Sequence, residues 1–464
     1  MILCWLLFVP FIGGLLCWQL ESRHAPSQVP RWIALLTMLI VLALIMLVLL
    51  LLGYPMMVPL AVGTLFMMFT GMTFFGPDQA VTWMVTGVGS WVLAAVPMFI
   101  FAADILTKGH TANRLLDLVD AFSRHWRGGL PITTAAACAM FGAVSGSTQA
   151  TVVAMGGPMR PRLLAKGYPD SFALALIINA SDIALLIPPS IGFIVYGVVM
   201  KTSIGDLFLA GILPGILILM MFATYCWLGA RAKGIEPESR ASWPDRLRAL
   251  RRAILPLGFP VLVVGGIYGG LFSAVEASAV AVAYALLLEV VIYRKVSIRD
   301  LGGLALSSGM ITAVVFILVA IGAAFSHTLG TAGVPEKLLG PAIDAIGDSQ
   351  TAALALITVA FFVGCMFVDP IVVILILVPI FKPLVESAGL DPVHVGVIVT
   401  LQAAIGSATP PFGCDIFTAI AVFRRPYLEV IRGTPPFILM LLLATVVLIL
   451  FPQISLWLPS LGNL

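Results

Sequence analysis

Long apolar segments separated by short polar stretches follow one another along almost the whole chain. Eleven of these segments come close to or exceed the about 20 residues with which a helix crosses the hydrocarbon core of a bilayer. They cover residues 2–20, 32–53, 58–75, 84–106, 171–199, 204–229, 253–272, 274–293, 301–328, 393–422 and 434–458. The pattern predicts an all-α polytopic membrane protein with about 11 spanning helices.

Two further apolar stretches, 130–159 and 350–380, are interrupted near their centres. The first is broken at residues 145–148 and the second at Asp369 and Pro370. Small or helix-breaking residues in the middle of an apolar stretch are typical of a re-entrant hairpin, in which two short helices meet at a tip inside the protein. A long kinked helix is the alternative interpretation of each stretch taken alone.

The distribution of basic residues favours the two hairpins. If both interrupted stretches return to the side that they entered, 20 of the 25 Lys and Arg residues fall on one side of the membrane. If both were full spans, the same residues would be spread over the two sides. The positive-inside rule makes the basic side cytoplasmic.

An internal repeat with a shift of 222 residues relates the two halves of the chain. The shift places Gly167, Pro188, Pro189, Gly211 and Pro214 on Gly389, Pro410, Pro411, Gly433 and Pro436. Because the two hairpins enter from opposite sides, the halves are predicted to be inverted repeats, the architecture of many secondary transporters.

Each repeat contains a span interrupted by a Pro–Pro pair. Pro188 and Pro410 leave the carbonyl groups of Ala184 and Gly406 without a helical N–H partner. Such carbonyls are hard oxygen ligands that suit Na⁺, and free amides at helix N-termini suit a carboxylate or sulfonate. A Pro–Pro pair alone indicates a kink, but its repetition opposite a hairpin tip favours a binding site near the membrane midplane.

Composition excludes several classes of function. Apolar residues make up 61% of the chain and charged residues 10%, with a mean hydropathy of +1.10. These are too few charges to cover a soluble enzyme, and the net charge of +3 is too small for a nucleic-acid binder. No GxxxxGK[ST] motif indicates ATP-driven transport. We therefore expect a transporter in the lipid bilayer and not an enzyme.

Several motifs resemble the large (M-type) permease subunit of tripartite ATP-independent periplasmic (TRAP) transporters. They lie at residues 96–122, 141–151, 185–197, 202–215, 270–282 and 406–413, and the resemblance covers about residues 40–460. It implies an elevator-type transporter of the bacterial inner membrane, with transport and scaffold domains. It also implies Na⁺-driven import of a small organic anion (carboxylate, sugar acid or sulfonate), with Na⁺ as the coupling ion and no other cofactor. The implied partners are a small four-helix permease subunit and a periplasmic substrate-binding protein.

Carried over by position, the resemblance implies two sodium sites and a substrate site between the hairpin tips. Sodium site one would comprise Ser145, Gly146, Ser147, Thr148, Ser181, Asp182, Ala184 and Pro188. Sodium site two would comprise Asp369, Gly406, Ser407, Thr409 and Pro410. The substrate would contact Ser147, Thr148, Gln149, Asp182, Asp369, Pro189 and Pro411.

The chain departs from the family pattern at a few of these positions. The family usually has Gly, Ser or Thr where this chain has Asp182 and Ala184, and often Thr where it has Ile371. An ionisable residue at membrane depth indicates function, so Asp182 is a candidate cation ligand or proton carrier, with a structural partner as the alternative. Ile371 leaves backbone ligation as the expectation for site two.

The same patterns predict a domain organisation. In chain order, its parts are an extra N-terminal helix and loop (1–40), scaffold helices (41–106), the first inverted repeat with an amphipathic arm, hairpin and broken helix (107–230), a cytoplasmic loop (231–252), scaffold helices leading into the second repeat (253–328), and the second inverted repeat (329–458).

Residues 1–38 carry a separate resemblance, to the N-terminus of chain M of the proton-pumping NADH:quinone oxidoreductase. Two alternative functions follow from these resemblances. One is a stand-alone sodium:dicarboxylate carrier with a related hairpin fold, and the other is a membrane subunit of a respiratory complex.

Overall fold

A computed structural model of the chain describes residues 9–10, 12–17, 19, 28–347 and 349–462. Within these residues the regular structure is helical throughout, which confirms the predicted all-α class. Of the predicted first span, 2–20, the structure describes residues 9–10, 12–17 and 19, and residues 28–40 of the extra N-terminal part lie in the first long helix, α1 (Gln28–Leu51). The helices are α1 Gln28–Leu51, α2 Met57–Phe69, α3 Pro77–Val88, α4 Ala95–Lys108, α5 Thr111–Ser123, α6 Gly129–Ser145, α7 Thr148–Ala165, α8 Asp170–Ser181, α9 Ile191–Met200, α10 Ile204–Ala232, α11 Trp243–Tyr268, α12 Ala274–Leu286, α13 Ile298–Thr331, α14 Val334–Ile346, α15 Gln350–Phe367, α16 Pro370–Ser387, α17 Pro392–Ser407, α18 Cys414–Phe423, α19 Tyr427–Ile431, α20 Pro435–Leu450 and α21 Gln453–Gly462.

Seven of the described helical segments are long and apolar enough to cross a membrane, and an eighth is formed if α20 and α21, bent by 61°, make one span. The chain is therefore a polytopic membrane protein, as predicted. The predicted total of about 11 spans and the domain boundaries stay predictions. Helix α10 ends at Ala232 and α11 begins at Trp243, so the part of the polar loop without helix is shorter than the predicted 231–252.

One compact unit comprises Met1–Gly89 and Phe316–Leu338. It contains α1, α2, α3 and residues 316–331 of α13. Trp83 stacks on His327 with ring centroids 5.4 Å apart, beside a small buried cluster of Met68, Ala80 and Ala324. All of the predicted site residues lie in the other unit, Ser90–Val315 and Leu339–Leu464.

Both interrupted stretches fold as pairs of helices that pack against each other, as a hairpin requires. In the first pair, α6 ends in left-handed Gly146 and Ser147 caps α7, accepting a hydrogen bond from the Ala150 N–H. In the second pair, Asp369 caps α16 and Pro370 stands at its first position. These capping residues explain where each stretch turns, because each ends one helix and begins the next.

The two Pro–Pro pairs interrupt helices in the same way. Helix α8 ends at Ser181 and continues as a short 3₁₀ turn before α9 begins at Ile191. Helix α17 ends at Ser407, and α18 begins at Cys414. Both Pro–Pro bonds are cis. Each second half then ends in a basic residue with positive φ, Lys201 after α9 and Arg424 after α18.

The two repeats interlock across their hairpins. Helix α7 of the first hairpin packs against α18 of the second repeat, and α16 of the second hairpin packs against α9 of the first. A buried cluster on the α7–α18 side joins α7, α8, the break before α18, α18 and α19 through Val152, Leu174, Ile177, Ile178, Ala408, Ile416, Ala419 and Val430. Each hairpin is thus held by the broken helices of both repeats.

Ion pairs tie the repeats together at the predicted cytoplasmic end. Arg160 of α7 donates two hydrogen bonds, of 2.7 and 2.6 Å, to the carboxylate of Asp170. Arg425 of the second repeat lies 2.9 Å from the same carboxylate. The hydrogen bonds from Arg160, reinforced by the charge of Arg425, lower the pKa of Asp170 below its ordinary value.

The amphipathic arm predicted at the start of the first repeat, 107–230, corresponds to α5, and a buried carboxylate lies at its N-terminus. Glu289, in a π-helical turn at Leu287–Ile292, accepts hydrogen bonds from the N–H groups of His110 and Thr111 and from the Thr111 hydroxyl, at 2.9, 3.0 and 2.6 Å. Gly109 packs directly against the carboxyl group of Glu289. A negative charge at a helix N-terminus is favourable, and here it also satisfies free amides.

We predict that Glu289→Ala lowers the stability of the protein by about 2–4 kcal/mol, because it leaves buried N–H groups without an acceptor. Thermal unfolding of the purified protein in detergent measures the effect. Glu289→Gln keeps an acceptor oxygen and should therefore lose less stability. Glu236→Gln in the exposed loop should leave the stability unchanged within error. Equal midpoints for Glu289→Ala and the wild type would contradict the capping role.

Candidate functional site

A small cleft of about 70 Å³ lies between the two hairpin tips. The first tip contributes Gly146, Ser147, Thr148 and Gln149, and the second contributes Asp369, Pro370 and Ile371. The remaining lining residues are Leu185, Ile191, Gly192, Ile374, Thr400 and Ala403. The structure thus brings four of the predicted substrate residues to one cleft: Ser147, Thr148, Gln149 and Asp369. The other three, Asp182, Pro189 and Pro411, are not among its lining residues.

Three helices begin at this cleft, namely α7, α9 and α16. Their capping side chains satisfy one amide each: Ser147 accepts from Ala150 N–H, Ser190 from Phe193 N–H and Asp369 from Ile371 N–H. The remaining first-turn amides of α7 and α9 have no partner within their helices, and together with the helix dipoles they give this wall a positive potential. Helix α16 offers no such amide, because Pro370 has no N–H and Asp369 accepts from Ile371. The wall therefore suits an anionic group of a ligand.

The opposite charge in the cleft comes from Asp369. Its Oδ1 accepts the Ile371 N–H at 2.9 Å, which orients the carboxylate at the start of α16. The residues that line the cleft include neither Lys nor Arg. The hydroxyl of Thr400, also in the lining, is buried and makes no hydrogen bond to any residue that the structure describes. Thr400 was not predicted from the sequence, because a threonine within an apolar helix carries no signal of its own.

The first hairpin tip is held rigidly by its own hydroxyls. The Ser145 and Thr151 hydroxyls are 3.1 Å apart, and Thr151 donates to the Ser147 carbonyl at 2.8 Å. Gly146, with φ of +60°, packs against the carbonyl oxygen of Pro189. The tip therefore touches the helix break of its own repeat, the arrangement expected for sodium site one. Ser181 is directed elsewhere, because its hydroxyl donates to the Ile177 carbonyl at 2.7 Å.

At the second repeat, the helix break contacts the first helix of the second hairpin. Gly406 packs against Cys365 of α15, and the Phe412 N–H donates to the carbonyl of Met366 at 3.3 Å. The Thr409 hydroxyl donates to the Ile405 carbonyl at 2.6 Å and caps the end of its own helix. The second break is therefore bound to the second hairpin by backbone contacts, and cation binding at either predicted site stays a prediction.

One carboxylate that was not predicted from the sequence connects the two predicted sites. Asp415, at the start of α18, accepts hydrogen bonds from the hydroxyls of Thr148 and Ser407, both at 2.8 Å. The carboxyl group of Asp182 is its charged neighbour. All four side chains are buried. The signal was present, since an ionisable residue follows the second Pro–Pro pair just as Asp182 precedes the first.

Comparison with known proteins agrees with this architecture. Residues 43–454 match the family described as "Tripartite ATP-independent periplasmic transporter, DctM component". The chain is 60% identical to the ectoine/5-hydroxyectoine TRAP transporter large permease UehC of Ruegeria pomeroyi, over 90% of this chain and 98% of that protein. It is 58% identical to the ectoine TRAP transporter large permease TeaC of Halomonas elongata, over 89% and 97%.

More distant similarities follow the same pattern. The C4-dicarboxylate TRAP transporter large permease DctM of Pseudomonas aeruginosa is 34% identical over 80% of this chain and 86% of its own length. Among solved structures, the YdaH transporter of Alcanivorax borkumensis superposes with a TM-score of 0.50 at 16% identity, covering 80% of this chain and 87% of that one. At this identity the likeness concerns the fold alone.

We predict that Gly146→Ala loosens the first tip and lowers stability by about 1–3 kcal/mol, because a Cβ would be strained at positive φ and would meet the Pro189 carbonyl. Thermal unfolding in detergent again provides the measurement. Gly157→Ala in the same hairpin is the matched control: its Cβ would meet nothing within 4 Å, and alanine favours a helix interior. Equal losses in the two variants would contradict the close packing of tip and break.

Proposed function

Because the chain belongs to the DctM family, the large permease component of TRAP transporters, we propose that it imports an ectoine-class solute, a small zwitterion, with Na⁺ as the coupling ion. Membership of this family makes the chain a transporter subunit of the inner membrane and not an enzyme. TRAP large permeases work with a small permease subunit and a periplasmic substrate-binding protein.

The alternative functions drawn from the sequence fit less well with these relatives. The ectoine permeases match the chain at 60% and 58% identity along nearly their whole length, and they are subunits of three-part systems. A respiratory-complex subunit or a stand-alone carrier is therefore not part of the proposal.

The cleft supports a substrate that carries both charges. Ectoine is a cyclic amidine with a carboxylate group, and it is a zwitterion at neutral pH. The carboxylate would face the free amides at the starts of α7 and α9, and the planar amidinium would pair with Asp369 at the start of α16. The observation that carries the proposal is this combination of two helix N-termini with free amides and one carboxylate in a single cleft.

The same geometry disfavours a dicarboxylate. A second negative charge would lie near Asp369, and the lining residues offer neither Lys nor Arg to compensate it. The sequence predicted a small organic anion, and the proposed substrate agrees with that prediction in its carboxylate group. Its cationic group is proposed because the carboxylate of Asp369 lines the cleft.

Transport requires the tips to separate. Pockets for small ligands usually measure about 300 Å³ or more, whereas the cleft between the tips measures about 70 Å³. We therefore propose that the hairpins part to admit the solute. An elevator movement of the hairpins relative to a scaffold is part of the proposal.

Sodium would couple to the solute through the tips. A Na⁺ bound by the carbonyls of either break would strengthen the contact between the break and its tip, and Gly146 already packs on Pro189 at the first break. This fixes the amides that face the solute carboxylate, so the two ligands bind with a favourable coupling free energy, typically about 1–3 kcal/mol.

We predict that uptake of labelled ectoine by the reconstituted complex, supplied with its periplasmic binding protein, requires an inward Na⁺ gradient. Without Na⁺ the favourable coupling free energy that supports solute binding is lost, so uptake with choline in place of Na⁺ should fall to background. Uptake at an equal rate in choline would exclude Na⁺ coupling.

We predict that Asp369→Asn raises the half-saturating ectoine concentration more than tenfold. The amide keeps the cap on α16 but loses the charge that pairs with the amidinium. Asp391→Asn is a matched control, since Asp391 also precedes a Pro and caps α17 by accepting the Val393 N–H at 2.7 Å. An Asp369→Asn variant in which only the half-saturating Na⁺ concentration changes would instead place Asp369 in a sodium site.

A further inference from the structure

Beneath the first hairpin tip, four oxygen-bearing side chains form a cluster closed to solvent. Asp182 is 1% exposed, Asp415 0%, Ser407 1% and Thr148 5%. They come from the first hairpin, the first helix break and both sides of the second break. Thr148 and Ser407 donate to the two oxygens of Asp415, which is thereby satisfied.

Asp182 has no such donors. No N–H or hydroxyl group in the part of the chain that the structure describes donates to its carboxylate oxygens, which lie within hydrogen-bond reach of the carboxyl group of Asp415. It follows the last residue of α8, where the helix dipole is negative and disfavours an anion. The charged groups acting on Asp182 and Asp415 are carboxyl groups as well: each acts on the other, and Asp369 acts on Asp415.

Two adjacent buried carboxylates without a counter-charge would cost many kcal/mol, so the pair has to hold either a shared proton or a cation. We argue for the cation, and the effect of pH in the experiment below distinguishes the two. The oxygen ligands available to a cation are two carboxylates and two hydroxyls. All are hard ligands that suit an alkali or alkaline-earth ion. Ca²⁺ takes about six to eight oxygen ligands and Mg²⁺ gives up its water reluctantly, whereas this buried cluster offers two carboxylates and two hydroxyls. We therefore infer a small monovalent ion.

We propose that Asp182 and Asp415, with the hydroxyls of Thr148 and Ser407, bind a Na⁺ ion that joins the two repeats. Thr148 and Asp182 were predicted for sodium site one and Ser407 for sodium site two. The proposed site differs from both because it adds Asp415 and takes its carboxylates from both helix breaks. It adds a location to the Na⁺ coupling proposed above and does not depend on which solute is carried.

Thr148 connects the proposed ion site with the substrate cleft. Thr148 lines the cleft between the tips, and its hydroxyl is bound to Asp415. A Na⁺ between the carboxylates would draw Asp182, Asp415 and the start of α7 together. Occupation of the cluster therefore orders the same helix N-terminus that faces the solute, which is a physical basis for coupling.

The test measures Na⁺ binding without substrate. The complex with the small permease subunit is purified in detergent, and its thermal midpoint is recorded as NaCl replaces choline chloride at constant ionic strength and pH. Stabilisation by a ligand grows as RT ln(1 + [Na⁺]/Kd), so the titration gives the apparent affinity. We expect Asp182→Asn and Asp415→Asn each to raise the half-stabilising Na⁺ concentration at least tenfold, and exposed Asp344→Asn to leave it unchanged.

The midpoints in choline distinguish ion binding from a structural role. Removing an uncompensated buried charge should leave Asp182→Asn as stable as the wild type, or more stable, when Na⁺ is absent. If either carboxylate variant fails to fold, Ser407→Ala keeps both carboxylates and should weaken Na⁺ binding several-fold. The site would be overturned if Asp182→Asn or Asp415→Asn bound Na⁺ with unchanged affinity. If neither of these variants folds, unchanged Na⁺ affinity in Ser407→Ala would have the same meaning. Stabilisation of the wild type by low pH alone, without any effect of Na⁺, would also overturn the site.

Ectoine uptake is measured separately on the same variants. Loss of Na⁺ stabilisation in the two carboxylate variants supports the site even if the wild type carries another solute. Conversely, ectoine uptake by the wild type together with unchanged Na⁺ affinity in these variants would refute the site and leave the proposed substrate intact.

Discussion

Backbone groups without hydrogen-bond partners cost several kcal/mol each in hydrocarbon, and this chain has them at four places in its apolar interior: two hairpin tips and two helix breaks. Such backbone is tolerated only where protein or ligand covers it. The structure meets this requirement by placing the tips and breaks against each other. Gly146 covers the carbonyl of Pro189, and the Phe412 N–H binds the carbonyl of Met366. The rest of the architecture serves to hold these four segments together.

That requirement also explains why the two repeats interlock. A hairpin tip packed only on its own repeat would leave one face open to lipid or water. Here α7 packs against α18 and α16 against α9, so each hairpin is enclosed by both repeats. The cleft between the tips consequently belongs to neither half, and its wall of helix N-termini exists only when both hairpins are in place. A ligand that binds there stabilises the junction of the repeats, which is how solute and ion binding become linked.

Much of the site was predictable because helix-breaking residues act locally. Proline and glycine disrupt a helix wherever they stand, so Pro188, Pro410 and Gly146 mark the two breaks and one tip in the sequence itself. The shift of 222 residues then predicts that the breaks are paired. Other features could not be predicted in this way. Asp415 meets Thr148 across 267 residues of chain, and Thr400 becomes a cleft residue only because both hairpin tips lie beside it.

The sequence by itself determined the membrane-spanning all-α class and the positions of the tips and breaks, because hydropathy and helix breaking depend on residues close together in the chain. Only the tertiary structure decided which polar groups share a site. It separated Asp182 from the cleft, brought it beside Asp415, and left Asp369 with three helix N-termini. Such groupings depend on how distant helices pack, and packing joins residues that no local pattern relates.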